Sequence, residues 1–284
     1  MKIELSQDQS KAVEAIIEFV KSKKTLLTMG GYAGTGKTVT ISNAVSILRS
    51  HEDYKDLKIA FCCFTVKAAI VLKEKIQNAE AINSQDYCGT IHRLIYKPKF
   101  DDKDNIIGWV RVNILSYDLV IIDEASMISD SVFEDLTSYG IPIIAVGDHG
   151  QLPPIASKYN LMENPMLKLE KIHRQAEGNP IIHVANMARM GEKIPFQRWV
   201  ISKDQWVEKI DKSWEDIFPA SNFVSDELKK EWSKNLILCG KNKTRVSINQ
   251  RIRSIFRRSD QLMKGEKVIC LKNNSIEGIF NGMI

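Results

Sequence analysis

The sequence predicts an α/β fold in which a parallel sheet has helices on both faces. Five apolar, strand-like runs alternate with helical stretches, near residues 25–29, 58–64, 118–123, 143–148 and 167–172. A glycine-rich phosphate-binding pattern follows the first run, and a pair of acids follows the third. Because open α/β sheets place ligands at the carboxyl ends of their strands, we expect both patterns at one edge of the sheet.

The most specific motif lies at residues 31–38, where Gly-Tyr-Ala-Gly-Thr-Gly-Lys-Thr completes the pattern G-x-x-x-x-G-K-S/T. It stands between a strand-like run and the helical stretch Val39 to Leu48, as this loop requires. Glycines let consecutive N–H groups turn toward an anion, and the helix directs its positive end to the same point. We predict a nucleoside triphosphate site in which Lys37 reaches the β- and γ-phosphates and Thr38 ligates Mg²⁺. The other predicted contacts are Gly31, Ala33, Gly34, Thr35 and Gly36.

The acids Asp123 and Glu124 follow the apolar run at residues 117–122. Such a run is typical of a buried parallel strand. Asp123 is expected to hold Mg²⁺, directly or through water, and Glu124 to orient or deprotonate the attacking water. The acids can instead cap the helix that begins near Ser129, but the phosphate-binding loop upstream favours catalysis.

Two further strand ends supply candidates for the reaction. The run at residues 143–146 leads into residues 147–154, where the Gln151 amide can contact the γ-phosphate. The run at residues 167–172 leads into Arg174, which can stabilise charge on the transferring phosphoryl group. A proline-stiffened turn and a solvated basic edge are the alternatives. Neither explains why both segments follow strands of one nucleotide-binding sheet.

In this order the motifs resemble those of helicase superfamily 1, and within it the 5′→3′ RecD/Dda-like branch. Residues 31–38 are similar to motif I, residues 123–126 to motif II and residues 147–154 to motif III, while Arg174 matches the arginine of motif IV. The resemblance covers almost the whole chain. It implies a RecA-like fold, ATP and Mg²⁺ as cofactors, and Gln9 as the contact to the adenine base.

The resemblance also implies residues that contact single-stranded DNA. Residues 65–69 are similar to motif Ia, and residues 89–92 to the Thr-Ile-His segment that follows it. The contacts carried over are Thr65, Lys67, Thr90 and His92. Phe64 stands where the family usually has a proline, a departure that concerns the local turn more than the DNA contact.

A polar turn at residues 101–105 separates two strand-like segments and interrupts the alternation. It predicts a small β-hairpin insertion at about residues 96–113, which resembles the wedge-like pin of the family. Its aromatic residues Phe100 and Trp109 can stack on a base or split a duplex end, or they can fix the hairpin to the sheet. Both interpretations stay open, and Phe100 is kept as a DNA-binding candidate.

Composition excludes some classes without naming a partner. Lysine plus arginine number 40 and aspartate plus glutamate 35, a net charge of +5, which is only mildly basic. No apolar stretch approaches the roughly twenty residues of a membrane span, and no signal peptide opens the chain. The five cysteines form no C-x-x-C pair, which predicts free thiols and a cytoplasmic location rather than a disulfide framework or a zinc site.

The pattern predicts a first RecA-like ATPase domain at residues 1–195, an inter-domain stretch at 196–234, and part of a second RecA-like domain at 235–284. A strand is expected at residues 235–239. Seven basic residues and no acid lie between Lys241 and Arg258. Such a run can be a solvated helix face, but beside Asn242, in a segment that resembles the opening of the family's second domain, a phosphate-tracking role is favoured. Family motifs V and VI do not follow, so we expect a fragment of a longer helicase.

These features together predict an ATP-dependent helicase or translocase that acts on single-stranded DNA and duplex junctions, with replication or recombination proteins as possible partners and no membrane. The alternative from another class is a P-loop switch that binds ATP and DNA without unwinding. A metabolite kinase requires an acceptor pocket and a lid, and the sequence indicates neither.

Overall fold

The structure, a computed structural model, describes residues 4–102, 106–152, 154, 157, 160–171, 179–203, 205–211, 236–256, 261–263, 266 and 268–270. The described residues up to Asn179 form one compact unit, and those between Pro180 and Ile269 form a second. No helix of the described residues is long and apolar enough to span a bilayer. The domain boundaries near residues 195 and 234 stay predictions.

The strands and helices of the described residues are numbered in chain order. The strands are β1 (Leu26–Gly31), β2 (Ile59–Cys63), β3 (Tyr87–Thr90), β4 (Tyr96–Phe100), β5 (Ile106–Arg111), β6 (Leu119–Ile122), β7 (Ile143–Gly147), β8 (Leu167–Leu169), β9 (Arg198–Ser202) and β10 (Gln205–Glu208). The helices are α1 (Gln7–Lys21), α2 (Lys37–Ser50), α3 (Val66–Asn78), α4 (Ile91–Ile95), α5 (Asp130–Thr137), α6 (Pro180–Arg189) and α7 (Asn242–Ile255).

The first unit is built on a six-stranded parallel sheet in the order β3-β2-β6-β7-β1-β8. All five strands predicted in this region are present, so the predicted α/β fold is confirmed. The sheet also contains β3, which was not predicted as a strand. Its four residues include Gly89 and lie at a sheet edge, so the run is too short and too weakly apolar to give a strand pattern.

The central strands of this sheet are buried along their whole length, because helices cover both of its faces. One hydrophobic cluster joins Phe61 and Ile121 to Ile16 of α1 and Leu72 of α3. The other joins the residues of opposite parity in the same strands to α4 and α5. Burial raises the pKa of the Cys62 and Cys63 thiols well above the usual range of a cysteine. Both therefore stay protonated and serve as unreactive core residues.

The predicted hairpin is present as the antiparallel pair β4 and β5, with an irregularity between Lys99 and Phe100. Most of β5 is exposed, and its Trp109 ring contacts the ring of His92 with centroids 4.5 Å apart. Trp109 therefore connects the hairpin to the segment that carries the Thr-Ile-His motif.

The second unit differs from expectation in two places. The stretch predicted as a linker contains the hairpin of β9 and β10, in which the Arg198 guanidinium lies over the Trp206 ring. Residues 236–239, predicted within a strand, form none in the described part of the chain, and Leu236 and Leu238 are largely exposed. The apolar run alone was insufficient, since a strand also needs a partner that pairs with it.

Candidate active site

The phosphate-binding pattern forms the turn between β1 and α2, as predicted. Gly34 and Gly36 have φ values of 89° and 80°, which side chains with a Cβ rarely adopt. A Cβ at Gly31 would lie 2.5 Å from the Thr35 hydroxyl, so the loop also depends on close backbone packing there. Ala33 is the exposed residue of this turn. The helix that follows directs its unpaired N–H groups toward the loop, a ready site for an anion.

Lys37 and Thr38 open α2 at the end of this loop. The Lys37 ammonium donates to the carbonyl oxygens of Gly31, at 2.7 Å, and Tyr32, at 3.2 Å. Its charge is thus held against the turn in which the phosphates are predicted to lie. Thr38 lies in the first turn of the same helix, directly after the loop.

The acids lie at the carboxyl end of β6, at the same sheet edge. The Asp123 N–H donates to the Cys62 carbonyl at 2.8 Å, and the Asp123 carboxylate accepts from the Glu124 N–H at 3.0 Å. Glu124 has φ 56° and ψ 40°, a left-handed conformation that costs a residue with a side chain about 1–3 kcal/mol. Such strain concentrates at functional sites, and Glu124 is the predicted catalytic carboxylate.

The charges at this edge favour a cation. Burial, followed by repulsion from Glu124, raises the pKa of Asp123, although Lys37 and Lys75 act in the opposite direction. A divalent ion would relieve this cost, and Mg²⁺ typically takes one or two protein oxygens together with phosphate oxygens. Thr38 and Asp123 fit that donor set. The described residues hold no cluster of three or more acid, histidine or cysteine ligands.

Gln151 lies in the turn after β7 and joins the acids to a neighbouring hydroxyl. Its amide donates to the Glu124 carboxylate at 3.4 Å and accepts from the Ser126 hydroxyl at 2.7 Å. The turn is fixed by Asp148, whose carboxylate accepts from the Gly150 N–H at 2.8 Å. Lys37, Asp123, Glu124 and Gln151 are therefore gathered at one sheet edge. Arg174 lies outside the described residues.

The predicted DNA contacts of the first unit fall at two helix N-termini. The hydroxyl of Thr65 caps α3 by accepting from the Ala68 N–H, and that of Thr90 caps α4 by accepting from the Arg93 N–H. Thr65 and Lys67 line a cavity of about 300 Å³ together with Lys75, Asp123 and Glu124. Two of the predicted DNA contacts, at the start of α3, thus line the same cavity as the two predicted catalytic acids.

His92 and Phe100 are both accessible, but their surroundings differ. The His92 ring lies between Tyr96 and Trp109, and partial burial lowers its pKa, so it offers a neutral ring rather than a charge. Phe100 is half exposed on the hairpin. Asn242 begins α7 in the second unit.

Three polar residues at this site were missed in the sequence. Ser126 holds Gln151, Lys75 faces Asp123, and Asp8 accepts from the N–H groups of Glu170 and Lys171. Ser126 lies two residues after Glu124, within the segment that resembles motif II, and so carried a positional signal. Lys75 and Asp8 are a helix lysine and a first-turn acid, residue types with no distinctive pattern.

Comparison with known proteins gives a consistent set of matches. The model of a family described as an AAA domain matches residues 4–210. The chain is 29% identical over 196 residues to the ATP-dependent RecD2 DNA helicase of Deinococcus radiodurans, covering 66% of this chain and 24% of that protein. It is 28% identical over 209 residues to the ATP-dependent DNA helicase RRM3 of Saccharomyces cerevisiae, covering 63% and 27%. The chain thus spans about a quarter of the length of these curated relatives.

A solved structure of two coordinating Pif1 helicases at forked double-stranded DNA is also similar. It has a TM-score of 0.50 and 18% identity, and the match covers 99% of this chain and 70% of that one. This likeness confirms the RecA-like α/β fold, and the relatives confirm the resemblance that the motifs indicated.

Proposed function

We propose, from the premise that this chain belongs to the AAA domain family, that it hydrolyses ATP and couples hydrolysis to movement along single-stranded DNA, as a DNA helicase or translocase. One observation carries this proposal. Glu124 is held in a left-handed backbone conformation at the sheet edge that carries the phosphate-binding loop, and Gln151 hydrogen-bonds its carboxylate. Binding alone does not require that carboxylate, whereas hydrolysis requires a group that takes a proton from water.

Each residue of the loop and the strand ends has a part in this reaction. The loop N–H groups and Lys37 are proposed to bind the phosphates, and Gln9 is proposed to contact the adenine base. Glu124 accepts a proton from the attacking water, which adds to the γ-phosphorus as the bond to the ADP oxygen breaks, leaving ADP and inorganic phosphate. Gln151 is proposed to contact the γ-phosphate. Because its amide also hydrogen-bonds Glu124 and Ser126, loss of the γ-phosphate can change those two contacts. Arg174 is proposed to stabilise charge on the transferring group.

Thr38 and Asp123 are proposed to hold Mg²⁺, which when bound neutralises charge on the phosphate oxygens. The position of Asp123 beside the phosphate-binding loop supports this assignment, together with its burial and the repulsion from Glu124, which raise the pKa of its carboxyl and which a bound cation would offset.

The DNA path is proposed to follow Thr65, Lys67, Thr90 and His92 in the first unit, with Phe100 on the hairpin and Asn242 in the second unit as further contacts. Support comes from the N-terminal positions of the two threonines, from the exposed charge of Lys67, and from the neutral rings around His92, which suit stacking rather than phosphate binding. Movement in the 5′→3′ direction and action at duplex junctions are proposed by analogy with the family.

We also propose a cytoplasmic location. The support is that all five cysteines are free thiols, which suits a reducing compartment.

ATP turnover with and without a single-stranded oligonucleotide tests the proposed function. We expect strong stimulation by the single strand and weaker stimulation by a blunt duplex of the same sequence. A chain that binds ATP and DNA but shows no stimulated turnover would be a nucleotide-dependent switch, and the motor proposal would be rejected.

Replacing Lys67 by alanine tests the DNA path. One fewer phosphate contact should weaken binding and lower the slope of log affinity against log salt by about 0.7 for a single strand. Fluorescence anisotropy with a labelled oligonucleotide at several salt concentrations measures both quantities. Lys73→Ala is the matched control, because Lys73 is exposed on the same helix but does not line the cavity shared with the acids. Equal slopes for both variants would move the path away from α3.

A further inference from the structure

A further cavity lies at the amino ends of the strands, the edge of the sheet opposite the phosphate-binding loop. Its volume is about 580 Å³, within the usual range of ligand sites. Its lining includes Lys58, Tyr87 and Tyr117, which lie at or up to two residues before the first residues of β2, β3 and β6. The predicted catalytic acids follow the carboxyl end of β6, whose four residues span roughly 13 Å. This cavity, the amino-edge groove, is therefore separate from the candidate active site.

The charged side chains among the described residues that line the amino-edge groove are all positive. They are Lys58, Arg93 and Lys97, which come from the start of β2, from α4 and from β4. The nearby Asp118 does not line the groove, and its carboxylate accepts from the Lys58 N–H at 2.9 Å. Three cations drawn from separate segments create a positive potential that favours an anionic occupant.

An aliphatic wall accompanies these charges. Val112, Ile114 and Leu115 contribute it from the segment between β5 and β6, and Ile114 is 78% exposed. An occupant that covers this wall would remove apolar surface from water, which favours binding. The groove therefore suits a ligand that is both acidic and aliphatic.

The two tyrosines favour a peptide over a nucleic acid as the occupant. Their rings contact each other with centroids 6.2 Å apart and planes tilted by 58°, and both residues are partly buried. Single-stranded DNA binding relies on aromatic faces that are open for base stacking. The most exposed apolar side chain of the groove is the aliphatic Ile114 instead.

We propose that the amino-edge groove is a docking site for an acidic segment of a partner protein, one that carries aliphatic side chains beside its carboxylates. Lys58, Arg93 and Lys97 pair with the carboxylates, and Ile114 and Leu115 contact the aliphatic groups. None of the described lining residues is a predicted nucleotide or DNA contact. Docking is therefore independent of the proposed motor activity, and a bound partner leaves the nucleotide and DNA sites open.

Fluorescence anisotropy with the whole chain measures this docking. The probe is a fluorescein-labelled peptide of aspartates and glutamates that ends in two leucines. The control is the same peptide with every acid replaced by its amide. We expect the acidic peptide to bind about tenfold or more tightly than the amide peptide, and its affinity to fall as the salt concentration rises.

Two exposed substitutions locate the site without disturbing the core. Lys97→Glu replaces an attraction by a repulsion, and Ile114→Ser removes an exposed aliphatic group. Each should raise the dissociation constant of the acidic peptide about tenfold, with melting temperature and ATP turnover unchanged. Lys24→Glu is the matched control, because Lys24 is exposed but does not line the groove, and it should bind the peptide like the wild type.

Equal affinity of the wild type for the two peptides, or unchanged affinity of Lys97→Glu for the acidic peptide, would overturn the proposal. A labelled oligothymidine provides the other decisive comparison. If Ile114→Ser weakened the oligothymidine as much as the acidic peptide, the groove would belong to the DNA path and the peptide site would be rejected. Each of these results leaves the proposed ATP-driven motor standing, because that proposal is tested by DNA-stimulated turnover.

Discussion

Replacing Glu124 by glutamine is expected to abolish most ATP turnover while leaving nucleotide binding intact. The amide has nearly the same shape as the carboxylate but cannot accept a proton from water, and general-base catalysis contributes about 10²–10⁴-fold to rate. Steady-state kcat with saturating single-stranded DNA should fall in that range, whereas the dissociation constant for ATP should stay near the wild-type value.

Glu124→Gln changes the chemistry of this side chain without removing its hydrogen bond to Gln151. Glutamine can still hydrogen-bond Gln151, so the link from Glu124 to Ser126 is retained. Glu134→Gln provides the same chemical change at an exposed position of α5 and should leave kcat unchanged. Equal loss of ATP binding and turnover in Glu124→Gln would mean that Glu124 serves the structure of the site, and its role as the base would be wrong.

Replacing Lys37 by alanine is expected to remove most affinity for triphosphate. Its ammonium already lies on the Gly31 and Tyr32 carbonyls, so it is held beside the loop before any phosphate arrives. A hydrogen bond to a charged group is worth about 1.5–3 kcal/mol, so the dissociation constant for ATP should rise by roughly ten- to more than a hundredfold.

Calorimetric titration with ATP and ADP checks this prediction, because the effect should be larger for the ligand with a γ-phosphate. Lys24→Ala removes an exposed lysine before β1 and serves as the charge-matched control. Unchanged affinity in Lys37→Ala would place the triphosphate elsewhere on the sheet.

Much of the site was determined by sequence because its parts are local. The turn at residues 31–38 requires glycines at positive φ and a helix directly after it, and both are features of consecutive residues. Asp123, Glu124 and Gln151 follow strongly apolar strands, and parallel strands bring their carboxyl ends to one edge. Apolar runs therefore predicted where these side chains meet, without any knowledge of the packing.

Side-chain partners could be decided only by the tertiary structure. Gln9 meets Thr35, Lys75 faces Asp123 and Trp109 contacts His92, although each pair is far apart along the chain. Such contacts depend on how helices and hairpins pack on the sheet, and no spacing in the sequence encodes them. The short edge strand β3 was missed for a related reason, since its place in the sheet comes from pairing with β2 rather than from its own four residues.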